Sequence, residues 1–178
     1  ATIVVAQDYV KGKSLRTLLG DGLERATALG LFIQIAHALA ALHQAGIAHR
    51  DLKPENVIVD LQGRAVVIDF GLASLGGQHS ELEMPRGTAG YAAPELWAQG
   101  MGRPAEPLLD VYAFGIMLRE ALPGIDGKGG FAGLFGGGDP LTRLVRAATS
   151  DDPARRPQSM QEIAGVLGSA LSAESGAS

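Results

Sequence analysis

Four residues in the middle of the chain carry chemistry at a telling spacing. Asp51, Lys53 and Asn56 lie within six positions, and Asp69 follows thirteen residues after Asn56. The carboxylate of Asp69 and the carboxamide of Asn56 are hard oxygen ligands, suited to Mg²⁺ carrying phosphate. Asp51 can orient a hydroxyl and accept its proton, and Lys53 supplies a point charge for a phosphoryl oxygen. These are the parts phosphoryl transfer requires, because its catalysis is mainly positioning and charge neutralisation.

The surrounding pattern says what must hold them. Asn56–Val59 and Ala65–Ile68 are short apolar runs split by Asp60-Leu61-Gln62-Gly63, which reads as a small hairpin. Thr27–Gln44 is a strong helix. Leu31, Ile35, Leu39 and Leu42 recur at helical spacing, and Gly46 stands where a left-handed cap would sit. Ser14 is placed to cap a short helix over 15–19, after a turn at 11–13 and before Gly20-Asp21-Gly22. Asp110–Leu122, Leu141–Thr149 and Gln158–Leu171 are further helices, and Pro94–Trp97 is a helical turn. Thr2–Ala6 reads as a buried strand, 72–92 as a long functional loop, and 124–138, with eight glycines, as a flexible stretch. The sum is a mainly α domain with a few short strands.

Composition narrows the function classes. The 178 residues can bury a real core, and 46% hydrophobic against 19% charged residues argues against disorder. A net charge of −4 argues against a general nucleic-acid or polybasic membrane binder. The absence of cysteine excludes disulfides, thiolate metal sites and a Cys nucleophile. No membrane span is expected, since the longest apolar run, Ala28–Leu42, is interrupted by Gln34 and His37. No signal peptide is visible, and the expected location is cytoplasmic. The chain opens inside an apolar run, which reads as an excised piece.

Several short motifs in order make the sequence resemble the protein kinase superfamily. His49-Arg50-Asp51 with Asn56 is similar to its catalytic loop, and Asp69-Phe70-Gly71 to its metal-binding motif. Gly87-Thr88-Ala89-Gly90-Tyr91 and Ala93-Pro94-Glu95 resemble the end of the activation segment. Asp110-Val111-Tyr112-Ala113-Phe114-Gly115 and Asp152-Pro153-Ala154-Arg155-Arg156-Pro157 resemble later landmarks. Lys53-Pro54-Glu55 points to the serine/threonine branch.

The resemblance implies a large helical C-lobe over 1–172. Its hinge strand and hinge lie at 1–10, the catalytic loop at 49–56, the activation segment at 69–95, and a flexible tail at 173–178. It implies ATP and Mg²⁺ as cofactors, Asp51 as base, Lys53 as phosphate partner, Asn56 and Asp69 as metal ligands, and Thr88 bonded to Asp51 and Lys53. At the adenine it implies Asp8 and Val10 on the edge, Ile58 as floor and Gln7 as gatekeeper. Asp110 would accept backbone N–H bonds from the catalytic loop. Glu95 and Arg156 would form a buried ion pair, whose disruption costs about 3–5 kcal/mol.

Plainer roles suit other residues. His49, Trp97 and Phe114 read as core, and His37, His43 and His79 receive no role. Arg50 before Asp51 suggests control by loop phosphorylation, with Ser74, Ser80 or Thr88 as acceptors, or Glu81 or Glu83 replacing the phosphate. The chain has no counterpart of the small lobe's glycine loop, β3 lysine and helix glutamate. Gly127–Gly133 only mimics such a loop, following a helix rather than a strand. The isolated chain is therefore expected to be weakly active or inactive. Its partners would be a protein substrate and a kinase N-lobe, or another partner covering its upper face. The alternative is a non-catalytic pseudokinase-like binding or regulatory module.

Overall fold

The structure is a computed structural model that describes residues 9–69, 74–75, 88, 90–96, 106–125 and 139–176. Five helices carry the core: α1 (Leu15–Asp21), α2 (Arg25–Gln44), α3 (Glu106–Ala121), α4 (Pro140–Ala148) and α5 (Met160–Ser175). Strands β1 (Gly12–Ser14), β3 (Val57–Asp60) and β4 (Ala65–Val67) form an antiparallel sheet in the order β1-β3-β4. A second antiparallel pair joins β2 (Ile47–Ala48) to β5 (Ser74–Leu75). The expected strand at 2–6, the gatekeeper Gln7, Trp97 and the glycine-rich stretch from 126 to 138 lie outside the described residues.

Helix caps explain where the elements begin. Ser14 Oγ accepts the Thr17 N–H at 3.2 Å and starts α1, and Gly22, at φ 87°, ends it. In α2 the Glu24 carboxylate accepts the N–H groups of Ala26 and Thr27, both at 2.9 Å. The helix therefore begins two residues before the expected Thr27. Glutamate is not among the favoured capping residues, so the sequence pattern did not mark it. Gly46, at φ 75°, follows α2 as expected. Helix α3 begins at Glu106 rather than Asp110, with Pro107 tolerated in its first turn. Ser159 caps α5 through the Glu162 N–H at 3.2 Å, so that helix begins at Met160 rather than Gln158.

Three expectations are corrected. Residues 12–14 pair with 58–60 as a strand instead of forming a turn. The Lys11-Gly12-Lys13 run hides a non-local contact that depends on a bare backbone, since a Cβ on Gly12 would stand 2.1 Å from the Val59 carbonyl oxygen. Residues 74–75 of the expected loop pair with 47–48. The expected tail at 173–178 is helical as far as Ser175, and there Arg25 Nε donates to Glu174 Oε1 at 2.6 Å, between the end of α5 and the start of α2.

Helix α2 is long and apolar enough to cross a membrane. Here Leu29, Phe32, Ile35, Ala36 and Leu39 are fully buried, and α5 is its most extensive helical partner. Phe32 meets Phe114 of α3 edge to face, with ring centroids 5.3 Å apart. Gln34, polar in this apolar helix, reaches the hairpin tip. Its Oε1 accepts the Ala65 N–H at 3.0 Å and its Nε2 donates to the Gly63 carbonyl at 3.3 Å. The core thus fastens the hairpin that leads into the chemistry-bearing residues.

Glycines give a paired test of this packing. A Cβ on Gly115 of α3 would lie 2.7 Å from Ala148 Cβ, whereas one on Gly165 of α5 meets nothing within 4 Å. Gly115→Ala should destabilise the fold by about 1–3 kcal/mol. Gly165→Ala should stabilise it by about 0.5–1 kcal/mol. Urea denaturation of the two variants measures both signs.

Candidate functional site

The site grows from one buried carboxylate. Asp110, in the first half of α3 and 1% exposed, accepts the His49 N–H on Oδ2 and the Arg50 N–H on Oδ1, both at 2.8 Å. His43 Nε2, from the end of α2, lies 2.8 Å from Oδ2. Arg50 is held at φ 68°, a left-handed conformation that costs a non-glycine residue on the order of 1–3 kcal/mol. Two charge-assisted hydrogen bonds from the two peptides that lead into Arg50 offset that strain.

His49 is fully buried and links the turn to the hairpin. Its Nδ1 accepts the Asp51 N–H at 3.3 Å, so Nε2 carries the proton donated to the Ile68 carbonyl at 3.0 Å. One imidazole therefore spaces the backbone at Asp51 from the backbone beside Asp69. The ladder continues past β3 and β4, with the Ile68 N–H donating to the Asn56 carbonyl at 2.9 Å. Asp69 follows directly, exposed and at φ 63°.

Four side chains meet here. Asp51 Oδ1 accepts the Thr88 hydroxyl at 2.8 Å, and Asp51 Oδ2 accepts Lys53 Nζ at 2.8 Å. Lys53 Nζ also donates to Thr88 Oγ1 at 2.9 Å. Asn56 Nδ2 donates to the Asp51 carbonyl at 2.9 Å and reaches Asp51 Oδ2 at 3.4 Å. These two bonds orient the amide, and its Oδ1 takes no hydrogen bond among the described residues, although Asn56 is only 5% exposed. A buried, unsatisfied carboxamide oxygen next to an exposed carboxylate suits a hard cation. Asn56 and Asp69 are the residues here that could hold Mg²⁺.

Charge on Asp51 follows from these contacts. Burial pushes its carboxyl up, but hydrogen bonds from Lys53 and Thr88 and the positive charge of Lys53 outweigh burial. The net value falls below the ordinary carboxylate range. At neutral pH the group is ionised, able to take a proton and weak enough not to hold one.

Of the expected site residues, the structure joins Asp51, Lys53, Asn56 and Thr88 directly and sets Asp69 beside Asn56 in the backbone. Ile58 is half-buried in the central strand, opposite Ser14, and Val10 is half-buried two residues before β1. Asp8 lies outside the described residues, as do Ser80, Glu81 and Glu83. Glu95 and Arg156 form the expected buried pair, with Arg156 Nη1 and Nη2 donating to the two Glu95 oxygens at 2.6 and 2.7 Å. Phe114 is core, as expected. His43, given no role from the sequence, supports Asp110. Arg16 was also missed. It joins Glu55, Tyr91 and Glu120, which lie 39, 75 and 104 positions away. No local pattern could have marked it.

A family model described as protein kinase domain matches residues 1–126. The serine/threonine-protein kinase pkn2 of Myxococcus xanthus is 33% identical over 95% of this chain and 24% of its own length. PkaB of Streptomyces coelicolor is 35% identical over 83% of this chain and 36% of its own, and PknA of Mycobacterium tuberculosis is 35% identical over 74% and 30%. Both are also named serine/threonine-protein kinases. The chain belongs to the protein kinase family, in its eukaryotic-like serine/threonine group, and spans about a quarter to a third of the length of these relatives.

The contacts of Asp51 make a pH test. Thr88→Ala removes a stabilising donor, so the Asp51 pKa should rise toward the ordinary carboxylate value. Because the wild-type folded value is depressed, this group favours folding above its unfolded pKa. That contribution is lost as pH falls through the folded pKa, and the variant should lose it at a higher pH. Carboxyl ¹³C NMR titration of wild type and variant checks the direction.

Proposed function

We propose that the chain supplies the catalytic centre for transfer of the γ-phosphoryl group from ATP to serine or threonine hydroxyls of proteins. The observation that carries this reading is the bonded quartet of Asp51, Lys53, Asn56 and Thr88, drawn from two separate segments onto one carboxylate. Asp51 would orient the acceptor hydroxyl and take its proton as oxygen bonds to phosphorus. The bond from the γ-phosphorus to its bridging oxygen breaks, and ADP leaves. Lys53, already shared between Asp51 and Thr88, would turn its third donor toward a phosphoryl oxygen. Thr88 would keep the carboxylate plane fixed during this step. Asn56 and Asp69 would hold Mg²⁺, which when bound neutralises phosphate charge. Ile58 would lie under the adenine ring, with Val10 and Asp8 along its edge.

The test uses labelled ATP, Mg²⁺ and a mixed protein acceptor with the full-length protein that carries this chain. Label should appear on phosphoserine or phosphothreonine. Asp51→Asn should reduce transfer by roughly 10²–10⁴-fold while nucleotide binding persists. Wild-type protein that binds nucleotide without transferring phosphate would instead be a pseudokinase-like binding module.

A further inference from the structure

Arg16, the second residue of α1, spreads one guanidinium over three parts of the molecule. Its Nε donates to Glu55 Oε1 at 2.7 Å, its Nη1 to Glu120 Oε1, and its Nη2 to the Tyr91 hydroxyl. Tyr91 in turn donates to Glu120 Oε2 at 2.7 Å, closing a ring of bonds against the last turn of α3.

Two of the three partners sit one step from the quartet. Glu55 lies between Lys53 and Asn56, inside the 3-10 turn Pro54–Asn56. Tyr91 shares a turn with Thr88, whose carbonyl accepts the N–H groups of Tyr91 at 3.0 Å and Ala92 at 3.2 Å. The segments carrying Asp51 and Thr88 are therefore joined twice, once directly and once through Glu55, Arg16 and Tyr91.

Stability alone is a poor account of this second link. The side chains of Arg16, Glu55 and Glu120 are 37%, 47% and 36% exposed, and ion pairs that accessible contribute little to folding. What the rigid guanidinium fork offers is geometry, because it fixes three acceptors in one plane. We propose that Arg16 is a positioning residue that sets Thr88 against Asp51 by clamping Tyr91 to the turn at Glu55. The role presupposes the reading of Asp51 as the base, but the clamp can be tested without turnover.

The test follows the Thr88 side chain by NMR, through the three-bond couplings that report its χ1 rotamer, in wild type, Arg16→Ala, Arg16→Lys and Tyr91→Phe. Wild type should hold one rotamer, with the hydroxyl on Asp51, and both Arg16→Ala and Tyr91→Phe should populate others. Tyr91→Phe cuts the same link with one oxygen removed, so the test survives if Arg16→Ala fails to fold. Arg16→Lys, which keeps the charge and loses the fork, should resemble Arg16→Ala. In the transfer assay, Arg16→Ala should lower kcat by about tenfold to a hundredfold and leave the KM for ATP unchanged, and the Arg16→Ala/Thr88→Ala double variant should match Thr88→Ala alone. A single wild-type rotamer of Thr88 in the folded clamp variants overturns the proposal, as do additive effects in the double variant. Absence of transfer by the wild type would overturn the functional reading alone, leaving the Thr88 rotamer to decide the clamp.

Discussion

The arrangement around the quartet depends on a negative charge kept almost dry inside α3. Asp110 is stable there because three donors converge on it: two backbone N–H groups and the ring of His43. A buried carboxylate without such partners would be costly enough to reorganise its surroundings. With them it becomes an anchor. It fixes the left-handed turn at Arg50, directly before Asp51. The helix supplying the anchor is itself locked from both sides, by Phe32 against Phe114 and by the close seat of Gly115 on Ala148.

Around this anchor the polar bonds run in a hierarchy of burial. Asp110 and the Glu95–Arg156 pair are buried and make bonds to fixed backbone or to each other. Arg156 also donates to the Leu108 carbonyl and lies 4.9 Å from the ring centre of Tyr112, so one guanidinium braces the start of α3. Asp51, Lys53 and Thr88 are only partly covered. The outermost layer is the Arg16 network. Burial thus falls from the core toward the solvent, and the quartet sits between the two extremes.

The sequence made the quartet legible because its members are few, polar and closely spaced, and because Thr88 belongs to a distinctive run. The long helices were legible from the periodicity of residues such as Leu31, Ile35 and Leu39. Other features were hidden for physical reasons. Strand β1 exists because a neighbouring backbone approaches Gly12, which leaves no hydrophobic alternation to read. Helix α5 runs past Leu171 into a last turn whose Glu174 meets Arg25 at the start of α2. His43 faces Asp110 only once α2 and α3 have packed. In each case the deciding partner is distant in sequence, and a local pattern carries no trace of it.

The pairing of α2 with α5 also shapes how the protein is made. More than a hundred residues separate the end of one helix from the start of the other. At ordinary translation speeds, roughly 6–25 s pass after α2 is synthesised before its main partner exists. During that interval a twenty-residue apolar helix lacks the partner that covers it most extensively. A chain released before α5 is made would therefore leave apolar surface of α2 open to water.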